Sequence, residues 1–564
     1  MATRYWVGGN GTWDASSTTN WSATTGGAAG ASAPVAADTV IFDSASGTGT
    51  CTTASGAVCA IATVNTSTLT LTLGANLTMS GTFTLTLGSV NLGNYTLQAL
   101  YFSSNNTNVR AINFGTGNIT VTGSATTIFS YTSTNCTISG TAVVNSTYSG
   151  STGTRGFRGG VAGNISFNIT AGSDILTFGS FNTYKNLNFT GFSGTFSNDG
   201  MSVFGNLTIS SGMTLTAGAN AITFAATSGI QQITTNNKTL DFPITQNGVG
   251  GTVQLQDNLT MGATRTYTLT NGDLHINNQT LSTGLFSSSN SNTRTIDFKS
   301  GNITLTQNGA TIWTTSTATG LSILGTPTVN ATYAGSTGTR TIVHGASSTA
   351  TETNSPNFNI SAGSDTVAIS NAKSINFTGF SGTLSNSART GYGNLTFSSG
   401  MTVPAGTLTT SFFATSGTQQ ITTANKTLDF PLTFNGIGGT FVFQDALTQG
   451  STRAFTITNG TVKLKNGVTS TVGAFATSGT NQKFLQSTTP GSTATLSQAS
   501  GTVNASYLTI QDITAIGGAT FNAYTDQSNV DAGNVDGWDF GISPIVGGAE
   551  YTYSMRSFTQ SRRF

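Results

Sequence analysis

The stretch Phe189-Thr-Gly-Phe-Ser-Gly-Thr-Phe-Ser-Asn198 decides the fold, because it returns almost unchanged as Phe377-Thr-Gly-Phe-Ser-Gly-Thr-Leu-Ser-Asn386. Leu240-Asp-Phe-Pro243 returns in the same way as Leu428-Asp-Phe-Pro431. A long, nearly constant period is typical of architectures that grow by stacking similar units, and not of a single enzyme pocket. The sequence therefore predicts the shape of the protein more sharply than its chemistry.

Alternation of apolar residues with threonine is the second strong pattern. It appears twice near the start of the first copy, at Leu69, Leu71, Leu73 and at Phe83, Leu85, Leu87. Side chains of a strand point to opposite faces with period two, so leucine and phenylalanine should face inward and threonine outward. This regularity argues against disorder, although Gly/Ser/Thr-rich chains often are disordered.

The composition indicates an almost entirely β protein. Of 564 residues, 70 are glycine and only 8 are proline, and long runs of helix-forming residues are absent. Charged residues make up 7%, against roughly 25% in ordinary globular domains. We predict an elongated, mostly parallel β-helix (solenoid) with short strands and Asn-Gly corners. Echoes at roughly 20 to 25 residues predict about 25 coils and a rod about 120 Å long.

Five segments follow from the repeats and from shifts in composition. The predicted organisation is a Trp-rich entry and capping unit, two homologous solenoid segments, a partial repeat with a closing unit, and a basic-aromatic tail: residues 1–60, 61–257, 258–445, 446–540 and 541–564. The two copies would be successive segments of one rod, or two similar lobes of it.

The entry unit carries a family resemblance. Tyr5-Trp-Val-Gly-Gly-Asn-Gly-Thr-Trp-Asp14, Thr19-Asn-Trp-Ser22 and Pro34-Val-Ala-Ala-Asp-Thr-Val-Ile-Phe-Asp43 together resemble the opening of autotransporter-passenger-type and related surface β-helix proteins. The resemblance covers about forty residues and implies a solenoid entry region, not an activity. The tryptophans would cover the open first coil, since terminal repeats are commonly atypical.

The closing unit carries a shorter resemblance. Gly501-Thr-Val-Asn-Ala-Ser-Tyr-Leu-Thr-Ile-Gln-Asp512 and Asn534-Val-Asp-Gly-Trp-Asp-Phe540 resemble the final segments of phage and bacterial β-solenoid surface proteins. Trp538 and Phe540 are expected to close the second end of the core.

Charge and targeting signals bound the location and the partners. The formal net charge is +1, which gives no bulk attraction to nucleic acid or to an anionic membrane. The sequence shows neither a secretory signal at its start nor an apolar run that could insert in a membrane, yet its Thr/Ser/Asn surface looks extracellular. A virion protein, released by lysis, reconciles these observations. Cys51, Cys59 and Cys136 are odd in number, and buried thiols are favoured over a Cys51–Cys59 disulfide.

The polar and charged residues of the sequence predict no enzyme, no cofactor and no metal. A polysaccharide-cleaving β-helix would need paired carboxylates, but the acids are isolated or recur at equal positions, as a structural turn or cap role would require: Asp241 with Asp429, and Asp257 with Asp445. The acidic cluster of Asp526, Asp531, Asp536 and Asp539 lacks calcium-loop spacing and is interpreted as polar turns. His275 and His344 have no ligand partner in sequence, and we expect them in solvated or edge positions.

The tail is the predicted docking segment, because arginine and aromatic residues are enriched in interface hot spots. Its candidate residues are Tyr551, Tyr553, Arg556, Phe558, Arg562, Arg563 and Phe564.

Together these features predict a non-enzymatic subunit of a fibre or spike, with a structural or adhesive role. A phage virion is the leading hypothesis for its source. The expected partners are identical chains, with a trimer as the form to test, other virion proteins, and a host-surface glycan. A glycan-depolymerising tailspike and a bacterial cell-surface adhesin remain the alternatives.

Overall fold

The computed structural model describes residues 1–158, 164–179, 182–345 and 351–544. Strands make up 50% of the protein and helix 1%, and the fold is the predicted parallel β-solenoid, with about 22 turns in total. The chain forms two compact units, Met1–Gly391 with Gly400–Thr402, and Tyr392–Ser399 with Val403–Phe564. These units do not coincide with the segments proposed from sequence, whose boundaries stay a prediction.

Three stacks of parallel strands build the first half of unit 1. The first face contains Thr3–Trp6, Thr39–Phe42, the first part of Ile61–Leu73 and of Thr82–Asn91, Tyr101–Ser104, Phe129–Tyr131, Thr154–Arg158, Ile175–Phe178, Thr195–Asn198 and Thr214–Thr216. The second face contains Gly11–Trp13, Gly49–Thr53, the second part of Ile61–Leu73 and of Thr82–Asn91, Arg110–Asn113 and Cys136–Ser139. The third face contains Val58–Cys59, Leu77–Met79, Thr96–Ala99, Asn118–Val121, Val143–Ser146, Ser166–Ile169, Leu187–Asn188 and Leu207–Thr208.

The second half of unit 1 continues in the same manner. One stack runs through Asn182–Tyr184, Met201–Val203, Ile222–Phe224, the first part of Ile244–Leu255 and of Thr266–His275, Leu285–Ser287, Thr311–Thr315, Thr339–His344, Thr366–Ile369 and Thr383–Leu384. Another runs through Ile230–Thr234, the second part of Ile244–Leu255 and of Thr266–His275, Arg294–Asp297 and Leu321–Leu324. The remaining strands are Thr239–Leu240, Leu259–Met261, Thr280–Thr283, Asn302–Leu305, Thr328–Ala331, Asn357–Ile360, Ile375–Asn376, Asn371–Ala372 and Arg389–Gly391.

Unit 2 has the same construction. One stack contains Leu395–Thr396, Thr418–Thr422, the second part of Leu432–Phe443 and of Ala454–Leu464, Lys483–Ser487, Leu508–Gln511 and Val530–Asp531. Another contains Thr410–Phe412, the first parts of the same two long strands and Ala474–Thr477. A further stack contains Thr427–Leu428, Thr448–Gln449, Thr469–Val472, Ala494–Gln498 and Ile513–Gly517. Thr502–Asn504 pairs with Thr520–Asn522, and a 3-10 turn spans Thr525–Gln527.

Aromatic residues cover the first coil. Trp6, Trp13 and Trp21 are fully buried together with Phe42, and Trp6 meets Trp21 edge to face at 5.0 Å. The strand Trp21–Ser22 pairs antiparallel with the first strand of the chain, unlike the parallel pairs that build the stacks. The large side chains therefore seal the open end of the core, as expected for an atypical terminal unit.

Stacked rings form the interior. Phe83, Phe102 and Phe129 lie in register on successive strands, with centroid separations of 5.6 and 5.1 Å. At the matching positions of the second sequence copy, Tyr267, Phe286 and Trp313 stack in the same way. Because no coil can bury its apolar face alone, this stacking supplies a core that continues from coil to coil.

Corners, and not the strands, break the alternation. Leu87 was expected inside but is only half-buried, because the register shifts here and the chain turns through Gly88 at φ +98°. The second copy places Gly272 at the same corner, with φ +78°. A Cβ atom there would lie 2.3 Å from the Gly251 carbonyl oxygen, so the corner requires glycine for both its dihedral angle and its space.

Long strands that match in sequence lie on different faces of unit 1. The stack that holds Leu207–Thr208 continues through Ile230–Thr234 onto the second part of Ile244–Leu255. At the start of the first copy, the matching second part of Ile61–Leu73 instead stacks on Gly49–Thr53, on a neighbouring face. Matching surface positions of the copies are therefore displayed one face apart around the solenoid.

Candidate binding surface

Exposed loops at the corners are anchored by a buried arginine. Arg155 and Asp174 are both fully buried, and the Arg155 Nη2 atom lies 2.7 Å from the Asp174 Oδ1 atom. Arg155 Nε also donates to the Asp174 carboxylate at 2.8 Å, and its Nη2 donates to the Ala171 carbonyl. The guanidinium lies over the rings of Tyr148 and Phe192, 5.4 and 5.3 Å from their centroids. A bidentate, stacked arginine of this kind fixes the loop geometry.

The second copy repeats this anchor. Arg340 and Asp365 are fully buried at a separation of 2.7 Å, and Arg340 lies 5.6 Å from the ring centroids of Tyr333 and Phe380. Each anchor holds one exposed loop, Tyr148-Ser-Gly-Ser-Thr-Gly153 in the first copy and Tyr333-Ala-Gly-Ser-Thr-Gly338 in the second. We call these the paired loops. They present nearly identical surfaces on neighbouring faces.

A second series of buried cations anchors another set of corners without a carboxylate. Arg110 donates from Nη2 to the carbonyls of Thr132 and Thr134 at 3.0 and 2.7 Å. Arg294 occupies the matching position and donates to the Thr317 carbonyl at 3.0 Å, and in unit 2 Lys483 donates to the Ser506 carbonyl at 3.1 Å. Burial lowers the pKa of Arg294 and of Lys483. These cations satisfy carbonyl groups that the corner leaves outside the ladders.

A groove lies on unit 1 beside the ends of the first-face strands. Arg158 ends one strand, and Gly179 and Asp199 follow the ends of the next two strands of the stack. A depression of about 290 Å³ contacts all three residues, and Asp199 also lines a second depression of about 330 Å³. We call the two depressions together the Arg158–Asp199 groove. Its polar lining includes Thr126, Thr154, Thr177, Ser202, Asn220 and Thr223.

The recurring aspartates have the structural roles expected of them. Asp257 accepts from the backbone N–H groups of Thr235 and Asn236, and Asp445 makes the same contacts in unit 2. Asp241 pairs with Arg265 at 2.7 Å, and Asp429 with Arg453 at 2.6 Å. Turn hydrogen bonds and surface ion pairs therefore explain the repetition of these acids.

The acidic residues of the closing unit each serve a separate turn. Asp531 and Asp539 accept from the backbone N–H groups of Gly533 and Gly541, and Asp536 accepts from Gly537. Asp526 accepts from Ser543, and these hydrogen bonds lower its pKa. In the part of the chain that the structure describes, no group of three or more His, Cys, Asp or Glu is placed to hold a metal ion.

The expectation of solvated or edge histidines is wrong for His344. This side chain is fully buried, and its Nδ1 atom lies 2.7 Å from Thr315 Oγ1, which in turn accepts from the indole of Trp313. Burial lowers the pKa of His344 to about 4. His275 is half-buried. The local sequence did not signal the burial of His344, because the strand that carries it packs its last residue inward.

The three cysteines are free thiols. Cys51 and Cys59 are buried and Cys136 is half-buried, so the expectation of buried thiols is confirmed for the first two. Burial raises the pKa of Cys59 to about 12, which keeps this thiol protonated.

The tail residues predicted to dock partners lie outside the described residues: Tyr551, Tyr553, Arg556, Phe558, Arg562, Arg563 and Phe564. Trp538 of the closing unit does pack on Phe521 and Phe475, at centroid distances of 5.0 and 5.8 Å.

Sequence reasoning missed the buried arginines as a class. The signal was present, because Thr-Gly-Thr-Arg ends the loop in both copies, at Arg155 and Arg340. A charged residue that recurs at equal positions of a chain with so few charges indicates a structural, paired role.

Comparisons with protein-family models, with curated proteins and with solved structures gave no match. Among the described residues, no helix reaches the length and apolar character that crossing a membrane requires. The fold defines a class, the parallel β-solenoid, which is compatible with fibre, spike and adhesin roles.

Proposed function

We propose that this chain is a non-enzymatic structural and adhesive subunit of a fibre or spike that presents its loops to a host surface. A phage virion is the leading candidate for the particle that carries it. The observation that carries the proposal is the pair of anchored loops. Two nearly identical surfaces, each fixed by a buried arginine–aspartate pair, are displayed on neighbouring faces of one solenoid.

Rigid repetition suits adhesion. Repeated weak contacts gain avidity when they are linked, and most when their spacing is fixed. The stacked core supplies the stiffness, and the anchors remove loop motion that binding would otherwise have to restrict. A surface with few charges and many hydroxyl and amide groups favours hydrogen bonding to glycans over electrostatic attraction to nucleic acid.

Assembly with identical chains is part of the proposal. A fibre or spike subunit is expected to form homo-oligomers, with a trimer as the form to test, and to contact other virion proteins. Sedimentation analysis of the full chain would test this, and a monomer at every concentration would contradict it.

Cell attachment tests the adhesive role. Labelled full-length protein should bind host bacteria, and the double variant Thr152→Glu with Thr337→Glu should bind at least about tenfold more weakly, because both paired loops are altered. Thr493→Glu, at an exposed site outside these loops, is the matched control. Failure of the unaltered protein to attach would contradict the proposal.

The depolymerase alternative has a separate signature. Glycoside cleavage by two carboxylates needs them about 5 to 10 Å apart. Among the described residues, the lining of the Arg158–Asp199 groove contains one acid, Asp199. Incubation with host capsule polysaccharide should release no new reducing ends. Sustained release would favour the tailspike enzyme.

A further inference from the structure

Within the described part of the chain, the two charged groups of the Arg158–Asp199 groove form no ion pair. Arg158 is exposed, and its Nε atom donates to Thr127 Oγ1 at 3.2 Å, which orients the guanidinium and leaves both terminal nitrogens free of hydrogen bonds within the described residues. The Asp199 carboxylate makes no ion pair or hydrogen bond there either. Other arginines and aspartates of unit 1 do form ion pairs with one another, as in Arg155–Asp174 and Arg265–Asp241.

The spacing of these groups suits a ligand that lies between them. The backbone positions of Arg158 and Asp199 are two strands apart in the stack, about 10 Å, with Gly179 between them. The Arg158 side chain reaches toward Thr127 on the preceding coil, which takes the guanidinium further from Asp199. Because glycine has no side chain, Gly179 leaves space in the depression that Arg158 and Asp199 also line. Opposite charges so placed are too far apart to pair and can each bind a different group of one molecule.

The second copy lacks every element of this arrangement. The matching positions are Val343, Ser370 and Ser387, without charge and without glycine. The strands around these positions pair in the same register in both copies, since Ile342 pairs with Ile369 as Phe157 pairs with Phe178. The groove is therefore a specific feature of the first copy and not a by-product of the fold.

We propose that the groove binds a linear acidic saccharide, with a uronate carboxylate on Arg158 and a pair of neighbouring sugar hydroxyls on Asp199. Arginine matches a carboxylate through two parallel N–H donors, and an unpaired carboxylate accepts hydrogen bonds from two hydroxyls at once. The two depressions follow one another along the stacking direction, so an extended polymer fits better than a compact ligand. Met201 and Ala221 supply an apolar part of the lining.

This inference deepens the proposed adhesive function and rests on it for its biological meaning, but its test uses purified sugars. Isothermal titration of the full chain with tetragalacturonate, and separately with tetramannuronate, should detect binding of at least one at about 1 mM or tighter. The methyl ester of the binding sugar should bind at least about tenfold more weakly, because it lacks the charge that Arg158 recognises.

Variants assign the contacts. Arg158→Gln should remove the difference in affinity between the acidic sugar and its methyl ester. Asp199→Asn should weaken the binding of both sugars by about tenfold. Ser387→Ala, at the matching position of the second copy, should leave both affinities unchanged, and far-UV circular dichroism should confirm that every variant is folded.

Three results would overturn the site. They are no binding of either uronide, unchanged affinities in Arg158→Gln, and equal or tighter binding of hexaglutamate, which would indicate a peptide ligand. Cell attachment that persists while the sugars fail to bind would reject the groove and retain the adhesive role. Sugar binding without cell attachment would retain the groove as a binding site and reject the adhesive role.

Discussion

At the scale of single residues, buried cations decide which surface the solenoid displays. Arg155 and Arg340 each join a loop to the coil beneath it through a carboxylate and two aromatic rings. A charge is buried at a cost in free energy that only full pairing offsets. The arrangement is therefore sensitive to the loss of either partner, and each anchor can be tested by one substitution.

Loss of the guanidinium should destabilise the anchored loop strongly. Arg155→Ala leaves Asp174 buried without a counter-ion, so we expect a loss of about 3 to 5 kcal/mol and faster hydrogen exchange of the Ser149–Gly153 amides. Arg265→Ala, in a surface pair, is the control and should cost less than about 1 kcal/mol. Equal effects of the two changes on the urea midpoint would contradict the anchoring role.

Protonation of His344 should make stability depend on pH. Its pKa is about 4 in the folded protein and 6.5 in the reference state, so the unfolded chain binds the proton first as the pH falls. The stability from the neutral ring is fully present above pH 6.5 and is lost toward pH 4, by up to about 3 kcal/mol.

Urea unfolding at several pH values measures this effect. His344→Gln should flatten the dependence between pH 6.5 and 4, while His275→Gln should keep the wild-type slope. A slope that survives in His344→Gln would assign the pH dependence to other groups.

At the scale of elements, the alternation of apolar residue and threonine predicted the strands correctly because a strand has a fixed period of two. Leu69, Leu71 and Leu73 are all buried. The pattern failed at Leu87, since corners change the direction of the chain and the face of each side chain. The groove could not be predicted, because it is formed by three residues brought together only when coils stack in register.

A corner glycine that lies against a neighbouring backbone should tolerate no side chain. Gly272→Ala combines positive φ with a 2.3 Å approach to the Gly251 carbonyl oxygen, so we expect a loss of more than about 2 kcal/mol. Gly309 also has positive φ, at +68°, but a Cβ atom there meets nothing within 4 Å. Gly309→Ala should therefore cost only about 1 kcal/mol, and thermal unfolding of the two variants separates strain from steric overlap.

At the scale of the whole molecule, repetition predicted the fold class and could not predict how the copies are placed. The sequence period does not reveal whether it spans a whole number of coils. The ladder through Leu207–Thr208 and Ile230–Thr234 shows that the period is not a whole number of coils, because matching strands lie on different faces. Unit 2 shows the same change through Leu395–Thr396 and Thr418–Thr422.

The tail is expected to act in assembly, since its arginine and aromatic residues are of the types favoured in interfaces. Removal of residues 541–564 should lower the oligomeric state measured by sedimentation and leave the circular dichroism spectrum of the strands unchanged. A truncated chain that assembles as the full one does would contradict the docking role.

High-resolution electron cryomicroscopy of the purified full chain would show directly how the coils and the paired loops are placed. We expect parallel coils, Arg155 and Arg340 each buried against its aspartate, and the paired loops on neighbouring faces of one solenoid. Antiparallel sandwiches, or matching loops stacked on a single face, would contradict it.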